Sequence, residues 1–372
     1  MSGGTTSGLW GPVTAVPGPG MSKAQTLAFL TECLDLPPRR AAWLGAVMDV
    51  AGIERRYTCV EEFYQHVSGD AATTSAAAHW ESVLGGLEGR MARYVKASAQ
   101  LSEEAARAAL QLAELPPEEV THLVFVTCTG FENPGPDAEL ANRLRLPDTV
   151  HRLQVGFMGC QASIQGLRLA DAICRSEPKA VVLLVCVELG TLHFDPSRTD
   201  REHLVISSLF GDGSGAALIT RRSLAVAPDL RLLKFTSRRV PAGAELLSWR
   251  LGEPAFNMGL GRELPEVVRR EVCDFVRDLV PPATPKARLG WAIHPGGRAV
   301  LDAVQESLEL SDEQLAPSRH VLSAYGNMSS PTLLFVLAEL PLEQRSGVAL
   351  AFGPGLSLEG FGWSRPSRSS RR

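Results

Sequence analysis

Val155-Gly156-Phe157-Met158-Gly159-Cys160-Gln161 is a stretch where an apolar run ends in glycine and a helical pattern begins. A helix is expected over about 160–176. Gln161, Arg168, Asp171 and Arg175 give it a polar face, and Ile164, Leu167, Ala170 and Ile173 an apolar one. The rest of the chain repeats this grammar. Short β-rich runs at 123–127, 181–187, 216–220, 289–293 and 348–352 alternate with helical stretches such as 102–115. That alternation predicts an α/β fold in which helices cover sheets.

Cys160 stands at the start of its helix, where the dipole and free backbone N–H groups favour thiolate. A lone Cys in such a place reads equally as a small buried hydrophobe. Two residues downstream change the reading. His294 ends the apolar run 289–293 and is followed by Pro295-Gly296-Gly297. Asn327 lies in Tyr325-Gly326-Asn327-Met328-Ser329-Ser330-Pro331, ahead of a helical stretch at 332–340 for which Ser330 is the expected N-cap and Pro331 the first residue. All three sit at junctions where α/β folds present reactive groups. A Cys, a His to pair with it and a hydrogen-bond-donating amide make a nucleophilic set.

These motifs resemble the type III polyketide synthases, the chalcone synthase family, within the wider thiolase and ketosynthase fold. The resemblance runs through Gly159-Cys160, Leu209-Phe210-Gly211-Asp212-Gly213, Ile293-His294-Pro295-Gly296-Gly297, Asn327-Met328-Ser329-Ser330 and Phe352-Gly353-Pro354-Gly355-Leu356. It implies a layered αβαβα, thiolase-like architecture of two pseudo-duplicated α/β halves, expected at 1–222 (carrying Cys160) and 223–363 (carrying His294 and Asn327). A composition shift near 221–228 fits that seam. The two Gly-rich turns at 211–215 and 353–355, each between apolar runs, look like a faint internal repeat. The Ser- and Arg-rich tail at 364–372 is expected to be disordered.

The implied chemistry needs no metal or prosthetic group. Cys160 takes an acyl starter from acyl-CoA, and His294 and Asn327 stabilise the enolate formed when malonyl-CoA loses CO₂. The resemblance makes Phe210 and Phe256 a gate between a CoA tunnel and the cavity. It makes Cys128, Thr129, Gly190, His193 and Ser329 cavity residues. Cys128 and Thr129 stand where plant members have Thr and Ser, and Gly190 and His193 replace two threonines. Gly190 would open space for an aliphatic chain, pointing to alkylpyrone or alkylresorcinol products. A bulky neighbour filling that gap would instead favour a small phenolic. His193 would donate to a polyketide carbonyl or sit as a satisfied buried His. The basic residues that hold CoA phosphates in plant members are Trp43, Ala46 and Val50 here. Arg55 and Arg298 are the nearest replacements, with Arg39, Arg40 and Arg56 close by. Asn133 takes the place of a dimer-contact Met, and a homodimer with a cis Asn133-Pro134 bond is expected.

Composition sets the outer bounds. The chain has 372 residues, 45% hydrophobic content and a net charge of −4, enough to bury a large core and without a nucleic-acid footprint. The longest apolar run, 180–187, is too short to span a bilayer, and the chain does not open on a secretory pattern. Seven scattered Cys, without a CxxC pair or metal-like His spacing, read as reduced thiols in a cytoplasmic protein. A papain-like protease also uses Cys, His and Asn, but its Cys-Gly-Ser-Cys-Trp signature is missing. An initiating ketoacyl synthase, dependent on acyl carrier protein, and a catalytically dead scaffold are the other competing readings.

Overall fold

The apolar runs become strands. In the computed structural model, which describes residues 6–68, 77–280 and 284–366, nine of them form one mixed sheet. They are β1 (Gly8–Ala15), β2 (His122–Thr127), β3 (His151–Gly156), β4 (Val181–Leu189), β5 (Asp212–Thr220), β6 (Leu230–Arg239), β7 (Gly290–Ile293), β8 (Ser346–Gly353) and β9 (Ser357–Ser364). Their order is β7-β8-β9-β6-β1-β5-β4-β2-β3. The helices used below are α1 (Lys23–Cys33), α2 (Pro38–Ala51), α3 (Glu61–Ser68), α4 (Gly86–Leu112), α5 (Ala162–Ser176), α6 (Arg201–Leu209), α7 (Leu264–Arg277), α8 (Arg298–Leu308), α9 (Asp312–Tyr325) and α10 (Thr332–Ala338).

The strand order carries a duplication. On one side β2 pairs parallel with β4, β4 antiparallel with β5, and β5 antiparallel with β1. On the other, β7 pairs parallel with β8, β8 antiparallel with β9, and β9 antiparallel with β6. The two sets meet where β1 pairs with β6. The repeat does not run through the two Gly-rich turns as expected. Residues before Gly211 are helical, in α6, whereas those before Pro354 are strand β8. The true counterpart of the β8–β9 hairpin is the β4–β5 pair, with α6 inserted between its strands.

Side-chain alternation builds the layers. Leu123 and Phe125 of β2 join an outer core with Tyr94 and Ala109 of α4, while Val124 and Val126 point into a central core. In β8, Ala349 and Ala351 face that central core, and Val348, Leu350 and Phe352 face a second outer core with Phe275 of α7 and Leu301 of α8. The central core holds Ile164 and Leu167 of α5 and Leu333 to Leu337 of α10. The result is helix, half-sheet, helix, half-sheet, helix, the two halves of the one sheet being joined where β1 pairs with β6. In this thiolase-like arrangement α5 precedes β4 and α10 precedes the equivalent β8, so the N-termini of the two central helices occupy matching positions.

Three local expectations need correction. The long helix α4 starts at Gly86 and stops at Leu112, because buried Arg90 and Tyr94 anchor its first half. The face of α5 read as polar is partly interior. Asp171 is buried and accepts from Ser7 and Arg175, and buried Gln161 accepts from Ser357. Ser364 is the last residue of β9, and Arg365 donates its backbone N–H to Arg345, so a disordered tail does not begin at 364. Residues 367–372 lie outside the described residues.

Candidate functional site

Cys160 occupies a single 3₁₀ turn, Gly159–Gln161, that leads into α5. Gly159 makes that turn possible. Its φ is +68°, and a Cβ there would collide with the Pro354 ring. On the facing element, Asn327 N–H donates to Leu209 O (3.0 Å) and Gly211 N–H donates to Asn327 O (3.0 Å), lacing the Asn to the end of α6. Asn327 Oδ1 accepts from Ser329 N–H at 2.8 Å. That contact fixes the amide, so Nδ2 is the group left to face the thiol. Ser329 and Asn327 both pull the Cys160 thiol pKa down, against its burial. Ser330 is not the N-cap of α10. Pro331 takes that position, while Ser330 Oγ donates to Glu188 Oε1 at 2.7 Å.

His294 follows β7 and is tied by its own N–H to Leu350 O at 2.8 Å. It is 1% exposed, and neither ring nitrogen has a partner. The ring lines neither of the two cavities described below. The structure therefore places Cys160 and Ser329 on one cavity wall with Asn327 close behind, and among the described residues no side-chain hydrogen bond joins Cys160, His294 and Asn327.

The electrostatics correct the thiolate expectation. Burial, helped by the Glu188 charge, pushes Cys160 up to about 11 against the smaller opposing pull of Ser329, Asn327 and a backbone N–H. Burial alone lowers His294 to about 3. The helix terminus does favour thiolate, yet desolvation outweighs it, and both side chains are neutral in this enclosed arrangement.

One cavity is lined by Cys160, Cys128, Thr129, Gly190, His193, Phe210, Phe256 and Ser329. Its volume is only about 70 Å³ but is spread along 27 described residues, so the space is thin and extended. Cys128 Sγ lies 3.7 Å from Ser329 Oγ, and burial, followed by the Glu188 charge, pushes its pKa well up, which leaves it a wall residue. His193 has no nitrogen to spare. Phe256 N–H donates to Nδ1 (3.1 Å), so Nε2 carries the proton and donates to Thr129 O (2.6 Å). The ring stacks on Phe256 with centroids 4.3 Å apart. It braces that phenyl ring and offers nothing to a polyketide carbonyl. Gly190 stands beside Phe210, where an added Cβ would find ordinary contacts at 3.5 Å and no clash.

A second, larger cavity of about 600 Å³ is lined by Trp43, Val50, Arg201, Arg262, Gly297 and Arg298 among others. Leu209 faces it while Phe210 faces the first, so the end of α6 stands between the two. Arg298 lines this second cavity, with Nη1 donating to Val50 O at 3.3 Å. Arg55 is not among the residues lining either cavity and donates to Pro19 O. Arg56 is a buried brace whose Nη1 donates to Ser207 O and to Phe210 O (2.7 Å), the latter holding the Phe210 backbone. Arg201, stacked over Trp43 at 5.2 Å, and Arg262 are mouth cations that sequence reading passed over.

Glu188 was missed as well. Buried in β4, it accepts from Cys128 N–H (2.9 Å) and Thr129 Oγ1 (2.8 Å) through one oxygen and from Ser330 through the other. It ties the loop after β2 to the loop before α10. A single carboxylate inside the otherwise apolar run 181–189 was the available signal. Among the described residues no cluster of three or more His, Cys, Asp or Glu could hold a metal.

Comparison with known proteins agrees with this architecture. Residues 42–222 match the family model of chalcone and stilbene synthases, N-terminal domain, and residues 232–363 match the corresponding C-terminal domain. Type III polyketide synthase 21 of Oryza sativa subsp. japonica is 37% identical over 274 residues, 70% of each chain. Type III polyketide synthase A of Arabidopsis thaliana is 35% identical over 260 residues, 66% of each. Among solved structures, the C-terminal type III polyketide synthase domain of Steely1, a type I/III hybrid from Dictyostelium, superposes with a TM-score of 0.86 at 26% identity, covering 97% of this chain and 99% of that one. PKS-I of the brown alga Ectocarpus siliculosus gives 0.86 at 25% identity, covering 98% and 100%. The fold and motifs define an acyltransferase of the thiolase-like class. The chain belongs to the chalcone and stilbene synthase family and is a type III polyketide synthase.

Proposed function

We propose that the enzyme loads an acyl-CoA starter onto Cys160 and extends it with malonyl-CoA by repeated decarboxylative Claisen condensation, without an acyl carrier protein. The Sγ proton passes to His294, the thiolate attacks the starter thioester, and CoA departs. Malonyl-CoA then loses CO₂, and the resulting enolate oxygen is held by His294 and Asn327 Nδ2. The enolate carbon attacks the acyl group on Cys160, and the lengthened chain returns to that sulfur. The observation that carries this reading is the donor set itself: a buried Asn whose amide oxygen is held by Ser329 N–H, and a buried His with no protein partner on either ring nitrogen. Free CoA should appear from malonyl-CoA and a starter acyl-CoA with no carrier protein added. A strict requirement for carrier protein would favour an initiating ketoacyl synthase.

The favoured starter is a medium- to long-chain acyl group, giving an alkylpyrone or alkylresorcinol. A thin cavity with Gly190 on its wall suits a linear chain better than a compact aryl group. Burial of about 0.8 kcal/mol per methylene corresponds to roughly a fourfold gain per carbon at most. Measured kcat/KM should therefore climb from hexanoyl- toward dodecanoyl-CoA until the space is full, and Gly190→Phe should lose the long starters first. A flat or falling series would point to malonyl-CoA or an aryl starter and a small phenolic.

Two halves, 1–222 and 223–363, working as a homodimer complete the proposal. β3 is an unpaired sheet edge, and beside it Phe131, Phe157 and Met158 are 51%, 43% and 38% exposed. An apolar patch along a free edge is a surface for another chain. The Asn133-Pro134 bond nearby is cis. Sedimentation should return about twice the single-chain 40.0 kDa at micromolar concentration. The single-chain mass would contradict it. Seven free cysteines fit a reducing, cytoplasmic setting, and no described helix is long and apolar enough to cross a membrane.

A further inference from the structure

The cavity at Cys160 does not stay in one layer. It touches Met328, which belongs to the central core between the sheets. It also touches Phe29, Phe63 and Phe194, which belong to the outer core on the other face of the N-terminal half. A space that reaches both must pass the end of β4. Gly190 is the first residue after that strand and lines the same cavity. Any larger side chain at this position would project beside Phe210 into the passage.

Beyond Gly190 the three phenyl rings close on one another. Phe29 and Phe63 lie 4.3 Å apart between centroids, Phe29 and Phe194 5.6 Å, and Phe63 and Phe194 5.8 Å. Trp80 backs this cluster at 5.1 Å from Phe29 and 5.4 Å from Phe63 without lining the cavity. The rings themselves are apolar and buried, so they suit the methyl end of a hydrocarbon. Phe29 is on α1, upstream of residue 42 where the family match begins, so this wall is read from this chain's own helices.

We infer that a saturated acyl chain on Cys160 threads past Gly190 and ends against Phe29 and Phe63, which set the longest starter the enzyme accepts. This rests on the alkyl-starter reading above and adds the residues that measure the chain. Ile206 of α6 lines the same space and provides a way to shorten it.

The test is a series of saturated acyl-CoAs from six to sixteen carbons, each with malonyl-CoA, read as kcat/KM by CoA release and as product mass. Phe29→Ala should move the optimum about two to four carbons longer, since deleting the ring leaves a cavity that neighbours fill only in part. Ile206→Trp should move it about two carbons shorter by filling the same space. Removing a buried ring can unfold a helix layer, so Phe29→Leu and Phe63→Leu are measured beside it, with thermal melting as the folding check. Shifts of opposite sign in folded variants support the wall, because general damage does not move an optimum both ways. A parent with a clear optimum that none of the folded variants displaces overturns the wall and leaves the alkyl reading standing. A parent series that is flat or falls from six carbons upward overturns both.

Discussion

Cys160→Ala should abolish condensation, and no acyl adduct should be found on the variant after mixing with starter CoA. Losing a covalent nucleophile costs on the order of 10⁶-fold in kcat where this has been measured. The structure separates Cys160 from the other thiols. Burial raises Cys33 and Cys186 far above the normal range and Cys174 to about 12, and none of the three lines the cavity at Cys160. Cys128 is the one serious rival, since it shares that cavity and approaches the same Ser329 hydroxyl. The Glu188 charge opposes a thiolate at both, and what distinguishes them is Asn327, which favours the Cys160 thiolate and has no such effect on Cys128, while Glu188 sits directly on the Cys128 N–H. Mass spectrometry of the intact protein and its peptides should place the starter on Cys160 in the parent. A persistent adduct on Cys128 in the Ala variant would reverse the assignment.

Much of this was legible in the chain because it depends on local rules. A glycine that ends an apolar run and precedes a Cys, or an Asn ahead of a Ser-Ser-Pro helix start, is written within about ten residues. The five β-rich runs became strands because each is long enough and apolar enough to be buried on both faces. What escaped reading depends on partners far along the chain. Gln161 and Asp171 look like surface residues until Ser357 and Ser7 arrive to bond them. Arg56 reads as a surface cation, yet it is buried against the carbonyls of 207 and 210. Glu188 is invisible as a hub because its donors come from 128, 129 and 330. His193 could be assigned either role by residue type alone. Only the Phe256 N–H on one nitrogen and the Thr129 carbonyl on the other settled it. Charge state was equally hidden, since desolvation of Cys160 and His294 is a property of the closed layers around them.

Asn327→Ala should slow decarboxylation of malonyl-CoA by about a hundred- to a thousandfold, the usual cost of removing one preorganised oxyanion donor. The argument is geometric. Ser329 N–H holds Oδ1, which orients the amide and leaves Nδ2 as its donor end, and Asn327 is close enough to Cys160 to favour its thiolate. An amide donates without titrating, which suits it to an enolate at any working pH. In the proposed mechanism His294 is the second donor, and its neutral form, favoured by burial, has one N–H for the enolate oxygen and one lone pair for the Cys160 proton. On that proposal the two residues divide the work unequally. Loading needs a base, the role proposed for His294, while decarboxylation needs donors, the role proposed for Asn327. The variant should still acquire a starter adduct on Cys160 while releasing acetyl-CoA and CO₂ from malonyl-CoA far more slowly than the parent. Decarboxylation at the parent rate, or loss of the adduct with decarboxylation intact, would remove Asn327 from the enolate-stabilising role and leave it as a support for Ser329.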